Sequence, residues 1–154
     1  MFSKEIIDAI SQLEKHSVKY IVVGGIAVVA YGYDRTTGDI DFWIDNDETN
    51  LKALENALLA CEFDAKQVKE AIESYRTKSH LTITIDDRFP FDLMPVYSSY
   101  VSFSQAYEKS VLTEFFGINL RVVDLDTLID MKIRSGRDKD LNDVQELKNI
   151  HKLK

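Results

Sequence analysis

The chain has a single cysteine, Cys61, so it can form no internal disulfide and no thiolate cluster for zinc; a reducing compartment, the cytoplasm, is the expected setting. Two prolines and six glycines in 154 residues are too few for a linker or a low-complexity tail. Basic residues are outnumbered: 19 Lys and Arg stand against 26 Asp and Glu, a formal charge of -7. That balance argues against a general polyanion binder, whose affinity rests on neutralising phosphates. Long hydrophobic runs are missing too. The most apolar stretch, Tyr20 to Tyr33, is shorter than the about 20 residues that span a bilayer and is broken by Gly24-Gly25. The opening "MFSKEIIDAI" has an acidic residue where a signal peptide has a basic start. The expectation is a chain with no membrane partner. His16, His80 and His151 are scattered with no His-Glu-x-x-His, and no Gly-x-Ser-x-Gly elbow or P-loop occurs.

What is present is enough apolar material for a core: 45% hydrophobic and 29% charged residues, the balance of one ordered domain over 1–154. Ile6, Ile7, Ile10 and Leu13 recur at helical spacing, predicting a helix near 4–15. "KYIVV" is a β-branched run stopped by the glycine pair, hence a buried strand followed by a short helix, and "DIDFWID" returns to a strand pattern. Helices are expected over 48–60 and 66–74. "LTITID" and "FDLMPV" read as a hairpin across "DRFP". A helix near 103–109 precedes a second hairpin, "SVLTEFF" and "INLRVV" about Gly117, and helices over 125–135 and 139–151 close the chain. Strands joined by helices in some places and by tight turns in others imply an α/β (α+β) fold, a mixed β-sheet with flanking helices.

Asp39 and Asp41 flank Ile40 in "DIDF", and alternation on a strand puts both carboxylates on one face while Ile40 and Phe42 enter the core. Two neighbouring carboxylates repel unless a hard divalent cation sits between them. A solvated strand edge produces the same Asp-x-Asp. Gly24-Gly25, after a strand and before a helix, lets backbone N–H groups approach a phosphate with no side chain in the way. The combination "VGG", a polar turn, then "DIDF" resembles the signature of the polymerase-beta-like nucleotidyltransferase superfamily. The resemblance implies that Gly24 and Gly25 hold a nucleoside triphosphate and that Asp39 and Asp41 bind metal, Mg2+ or Mn2+. It also requires a third carboxylate on a later strand. "PFDLMPV" offers Asp92, expected on the polar face with Thr82 and Thr84 while Leu81, Ile83 and Ile85 face the core. Pairing with a buried arginine or capping a turn are the alternatives for Asp92. Three such acids form a two-metal clamp and would be the catalytic residues.

The tail "LDTLIDMKIRSGRDKDLNDVQEL" puts Lys132 on the apolar stripe of Leu125, Leu128 and Ile129. Either its stem snorkels past the core edge, or its ammonium reaches a phosphate and its replacement by Met spares the fold. Arg137 and Lys139 are expected as mobile cations in the turn before the last helix, with Asp140 and Asp143 near enough to pair with them. This segment resembles the C-terminal part of small bacterial nucleotidyltransferases, among them toxin-like members of abortive-infection systems. Arg35 in "YDRTTGDID" stands where such relatives are often basic; it contacts phosphate or pairs with Asp34 or another surface acid. Tyr97, Tyr100, Phe103 and Tyr107 are core aromatics or a base-stacking surface.

The resemblance implies a magnesium-dependent nucleotidyltransferase moving a nucleoside monophosphate from a nucleoside triphosphate to an acceptor: a small molecule, tRNA or a protein. A homodimer or partner protein is a further expectation, since 154 residues leave little room for an acceptor domain. The alternatives are a tRNA-modifying toxin of a toxin-antitoxin system and a catalytically inactive, antitoxin-like nucleotide-binding module.

Overall fold

Side-chain caps mark where five of the helices begin. Ser3 accepts the Ile6 amide at the start of α1 (Lys4–Lys15), and Ile6, Ala9, Ile10 and Leu13 form its buried face. Asp47 caps α3 (Glu48–Ala60), Asp64 caps α4 (Ala65–Arg76), and Ser102 with Gln105 makes a capping box on α5 (Phe103–Lys109). Asp124 opens α6 (Leu125–Ser135), which ends at Gly136 in the left-handed conformation, φ 66°. The last helix, α7 (Asp138–Ile150), starts at Arg137 without a side-chain cap. This is a computed structural model, which describes residues 2–77, 81–86, 89–94 and 100–154. Of the side chains in 81–99, only Asp92 is described, so the expected faces of Leu81, Thr82, Ile83, Thr84 and Ile85, and His80 and Tyr97, lie outside the described residues.

Among the described residues six strands form one sheet in the order β3-β4-β2-β1-β6-β5: β1 (Tyr20–Val23), β2 (Ile40–Ile44), β3 (Leu81–Asp86), β4 (Phe89–Met94), β5 (Val111–Phe115) and β6 (Ile118–Val122). The sheet is mixed, as the pattern of connections predicts: β1 runs antiparallel to β2 and parallel to β6, while β2 runs parallel to β4. Both expected hairpins are present as antiparallel pairs, β3 with β4 and β5 with β6. The central strands β1 and β2 are covered on both sides, which is why they read as nearly continuous apolar runs; the outer strand β5 is largely exposed.

Helix α2 (Gly24–Ala30) lies on β1 and β2 and touches α6, α1 packs on α3 and α3 on α4, and α6 pairs with α7. Asn50 is buried because it ties two strand ends together: its side chain accepts from the Lys19 amide at 2.7 Å and donates to the carbonyls of Lys19 and Asp45. Trp43 meets Phe103 edge-on at 5.4 Å, and Phe103 stacks on Tyr107, so these two aromatics belong to the core; Tyr100 is exposed. His16 and His151 are helix C-caps, hydrogen-bonded to the Gln12 and Tyr31 carbonyls.

Candidate active site

Strand register assembles the acids. Asp41 on β2 is the register partner of Asp92 on the parallel strand β4, and neighbouring residues in a sheet share a face. Asp39 stands two residues before Asp41, just outside β2, and the same alternation turns it to that face. The three side chains each bring a carboxylate oxygen to within 4.8 Å of the other two. Ile40 and Phe42, between and after them, are fully buried. Thr82 of β3 pairs in register with Asp92 from the other side.

Asp92 is 7% exposed and Asp39 and Asp41 are half-buried. Burial, with Asp39 and Asp92 alongside, pushes the Asp41 carboxyl up to about 7, against the pull of Lys132 and Arg137. Burial and two neighbouring carboxylates outweigh the cations around Asp41, and oxygen donors at this spacing are the set a hard divalent cation takes. The residues present therefore fit Mg2+ or Mn2+.

The glycine pair has a second reason to be glycine. Gly24 has φ +67°, and a Cβ there would lie 2.1 Å from Oδ2 of Asp41. At Gly25 a Cβ would lie 2.5 Å from Thr37 Oγ1 and 3.1 Å from Arg35 Nη2. Bare backbone at the β1–α2 junction thus makes room for the acid on one side and for Arg35 and Thr37 on the other.

The acids share their pocket with a wall of cations. Gly24, Gly25, Arg35, Asp39, Asp41, Asp92, Lys132, Arg137 and Lys139, the residues singled out in the sequence, all line one pocket of about 300 Å³, together with Thr37, Gly38 and Asp140. A larger groove, about 580 Å³, runs beside α1 and the end of α3, but among the described residues Glu5, Asp8 and Glu62 line it with no lysine or arginine, a poor setting for a polyphosphate.

The cations are held differently from the sequence expectation. Lys132 does not snorkel: it is 6% exposed, and Nζ donates to Asp140 Oδ1 at 2.8 Å and to Asp143 Oδ2 at 3.0 Å. Replacing it by Met would leave buried acids short of a partner, so a loss of stability is expected in place of a spared fold. Among the described residues Arg35 pairs with neither Asp34 nor a surface acid. Its partner is Asp143, 1% exposed and 108 residues away, with Nη2 donating to Oδ2 at 3.0 Å and Nε 2.9 Å from Oδ1. Arg137 is the N-cap residue of α7 and donates through Nε to Asp140 Oδ2 at 2.8 Å, while Lys139 lies within α7, not in the turn before it. Burial works to raise the Asp140 carboxyl, but hydrogen bonds from Lys132, Ser135 and Arg137 outweigh it and hold it down at about 2.

Thr37, Gly38, and Asp140 as part of the lining, were missed in the sequence. "TTG" immediately before Asp39 is the local trace of the first two; a polar turn between a glycine pair and an acidic strand folds back over both.

A family model described as "Nucleotidyltransferase of unknown function (DUF6036)" matches residues 4–154. Similar solved structures include the lincosamide antibiotic adenylyltransferase LnuA with lincomycin bound, at TM-score 0.57 and 16% identity, covering 97% of this chain and 98% of that one. The protein TM1012 of Thermotoga maritima aligns at TM-score 0.58 and 15% identity over 94% of this chain and 90% of its own. ANT(2")-Ia in complex with adenylyl-2"-tobramycin aligns at TM-score 0.56 and 13% identity, over 94% and 86%. At such identities the likeness speaks to the fold. Comparison with curated protein sequences gives no match. Among the described residues no helix is long and apolar enough to cross a membrane.

Proposed function

The chain belongs to that nucleotidyltransferase family, and from this premise we propose that it transfers a nucleoside monophosphate from a nucleoside triphosphate to a hydroxyl-bearing acceptor in the pocket between α2, β2, β4 and the α6–α7 pair. The observation that carries the reading is the meeting of three carboxylates, oxygens within 4.8 Å, with Arg35, Lys132, Arg137 and Lys139 in one pocket. Nucleotide transfer needs both signs of charge: acids toward a divalent cation, bases toward the phosphates.

Asp39, Asp41 and Asp92 are the residues that would hold Mg2+ or Mn2+, which when bound supplies activation of the attacking oxygen and charge neutralisation of the leaving pyrophosphate. Gly24 and Gly25 admit the triphosphate to the backbone, and the cationic wall orients it. The acceptor oxygen bonds to the α-phosphorus as the α–β phosphoanhydride bond breaks. Pyrophosphate leaves with the electron pair, and Asp92 takes the acceptor proton.

The lincosamide and tobramycin named for the structural neighbours favour a small-molecule acceptor. The test is incubation with each α-labelled triphosphate, Mg2+ and, in separate arms, a lincosamide, an aminoglycoside, tRNA and a cell extract. Label on an acceptor with pyrophosphate release, abolished by Asp92→Ala, is expected. Label on tRNA would favour the toxin reading. Magnesium-dependent binding with no label transferred anywhere would instead leave an inactive nucleotide-binding module.

A further inference from the structure

Asp143 stands behind the pocket wall. Its side chain is 1% exposed and is not part of the lining, yet it binds two residues that are, Lys132 and Arg35. Lys132 comes from α6, Asp143 from α7, and Arg35 from the irregular segment between α2 and β2, so one carboxylate joins three separate parts of the chain. Asp140 and Asp143 take two of the three ammonium donors of Lys132, which leaves one for the pocket. Arg35 is more dependent: apart from Asp143, its guanidinium donates to the neighbouring Thr36 carbonyl. Arg35, Lys132 and Arg137 share the carboxylates of Asp140 and Asp143, and the Arg35 guanidinium lies beside Gly25, where a Cβ would meet Nη2 at 3.1 Å.

Resting on the nucleotidyltransferase reading above, we propose that Asp143 is a positioning residue that fixes Arg35 and Lys132 as one unit against the nucleotide's polyphosphate. It touches no substrate and acts through the two cations. A long arginine on an irregular segment loses rotamer freedom when it binds phosphate, and pairing with Asp143 removes that freedom beforehand.

The test is calorimetric titration of the full chain with inorganic tripolyphosphate in Mg2+. Asp143→Asn is expected to weaken binding at least about tenfold, and Arg35→Met added to Asp143→Asn to cost less than about twofold more, because Asp143 acts through Arg35. Unchanged affinity in a folded Asp143→Asn chain, or losses that simply add, would overturn the positioning role while leaving the pocket assignment intact. Failure of the unaltered chain to bind tripolyphosphate would overturn the pocket assignment, and this role with it. If Asp143→Asn does not fold, the side-chain nitrogen resonances of Lys132 and Arg35 in the unaltered chain decide: tripolyphosphate is expected to shift both together, and a shift of one alone refutes a shared anchor.

Discussion

Asp41 and Asp92 face the pocket because β2 and β4 pair in one register, whereas Lys132 and Arg35 face it because Asp140 and Asp143 hold them there. The acidic wall is therefore a backbone construction and the cationic wall a side-chain one. Strand pairing buries Asp41 and holds like charges beside it at a cost, visible in its raised carboxyl, and the cation wall gives its charge to internal partners, visible in the lowered Asp140 carboxyl. The two walls should break in different ways.

Lys132→Met removes the cation shared by two buried acids and should cost about 3–5 kcal/mol in chemical denaturation, the range for breaking a buried ion pair from one side. A loss below about 1 kcal/mol would mean that Arg35 and Arg137 satisfy both acids alone. On the other wall, Gly24→Ala should cost about 3 kcal/mol, because φ +67° and a carboxylate oxygen 2.1 Å from the new methyl act together. Asp41→Gly in that background should recover part of the loss; no recovery would locate the strain in the backbone alone.

The two walls also titrate in opposite senses. The Asp41 carboxyl is raised from 3.8 to about 7, so in chelator its contribution is complete below pH 3.8 and is lost as pH rises toward 7, on the order of 3 kcal/mol. Asp41→Asn should flatten that limb, and Mg2+ should reverse it. The Asp140 carboxyl is lowered from 3.8 to about 2, so its contribution, about 2 kcal/mol, is present above pH 3.8 and is lost as pH falls through 2. Urea melts from pH 2 to 8 for the unaltered chain, Asp41→Asn and Asp140→Asn separate the two limbs. The smallest effect is expected at Lys139, exposed and with no ion pair among the described residues: Lys139→Ala should change stability by less than about 0.5 kcal/mol while weakening tripolyphosphate binding.

The contrast also explains what the sequence shows and hides. Helix starts are written locally, in Ser3, Asp47, Ser102 and Asp124, and the buried faces follow their spacing. Asp39 and Asp41 are legible for the same reason, one just before β2 and one on it, with only the apolar Ile40 between them. Strand order is not local: nothing in "KYIVV" says that β6 lies on one side of it and β2, running antiparallel despite an intervening helix, on the other. Arg35 and Asp143 are 108 residues apart, and no short pattern announces that pairing. Lys132 on an apolar stripe is the visible anomaly, which reads as a snorkelling stem or a phosphate contact; its acid partners require the packing of α6 on α7.

The sharing of Asp143 between Lys132 and Arg35 also constrains how this pocket drifts between generations. Losing any one of the three first leaves a desolvated charge with fewer partners, so single steps are selected against even where the final triple replacement would be tolerated. Three positions far apart in the chain should change together or remain fixed together, and descendants that abandon the trio should do so in a background already stabilised elsewhere.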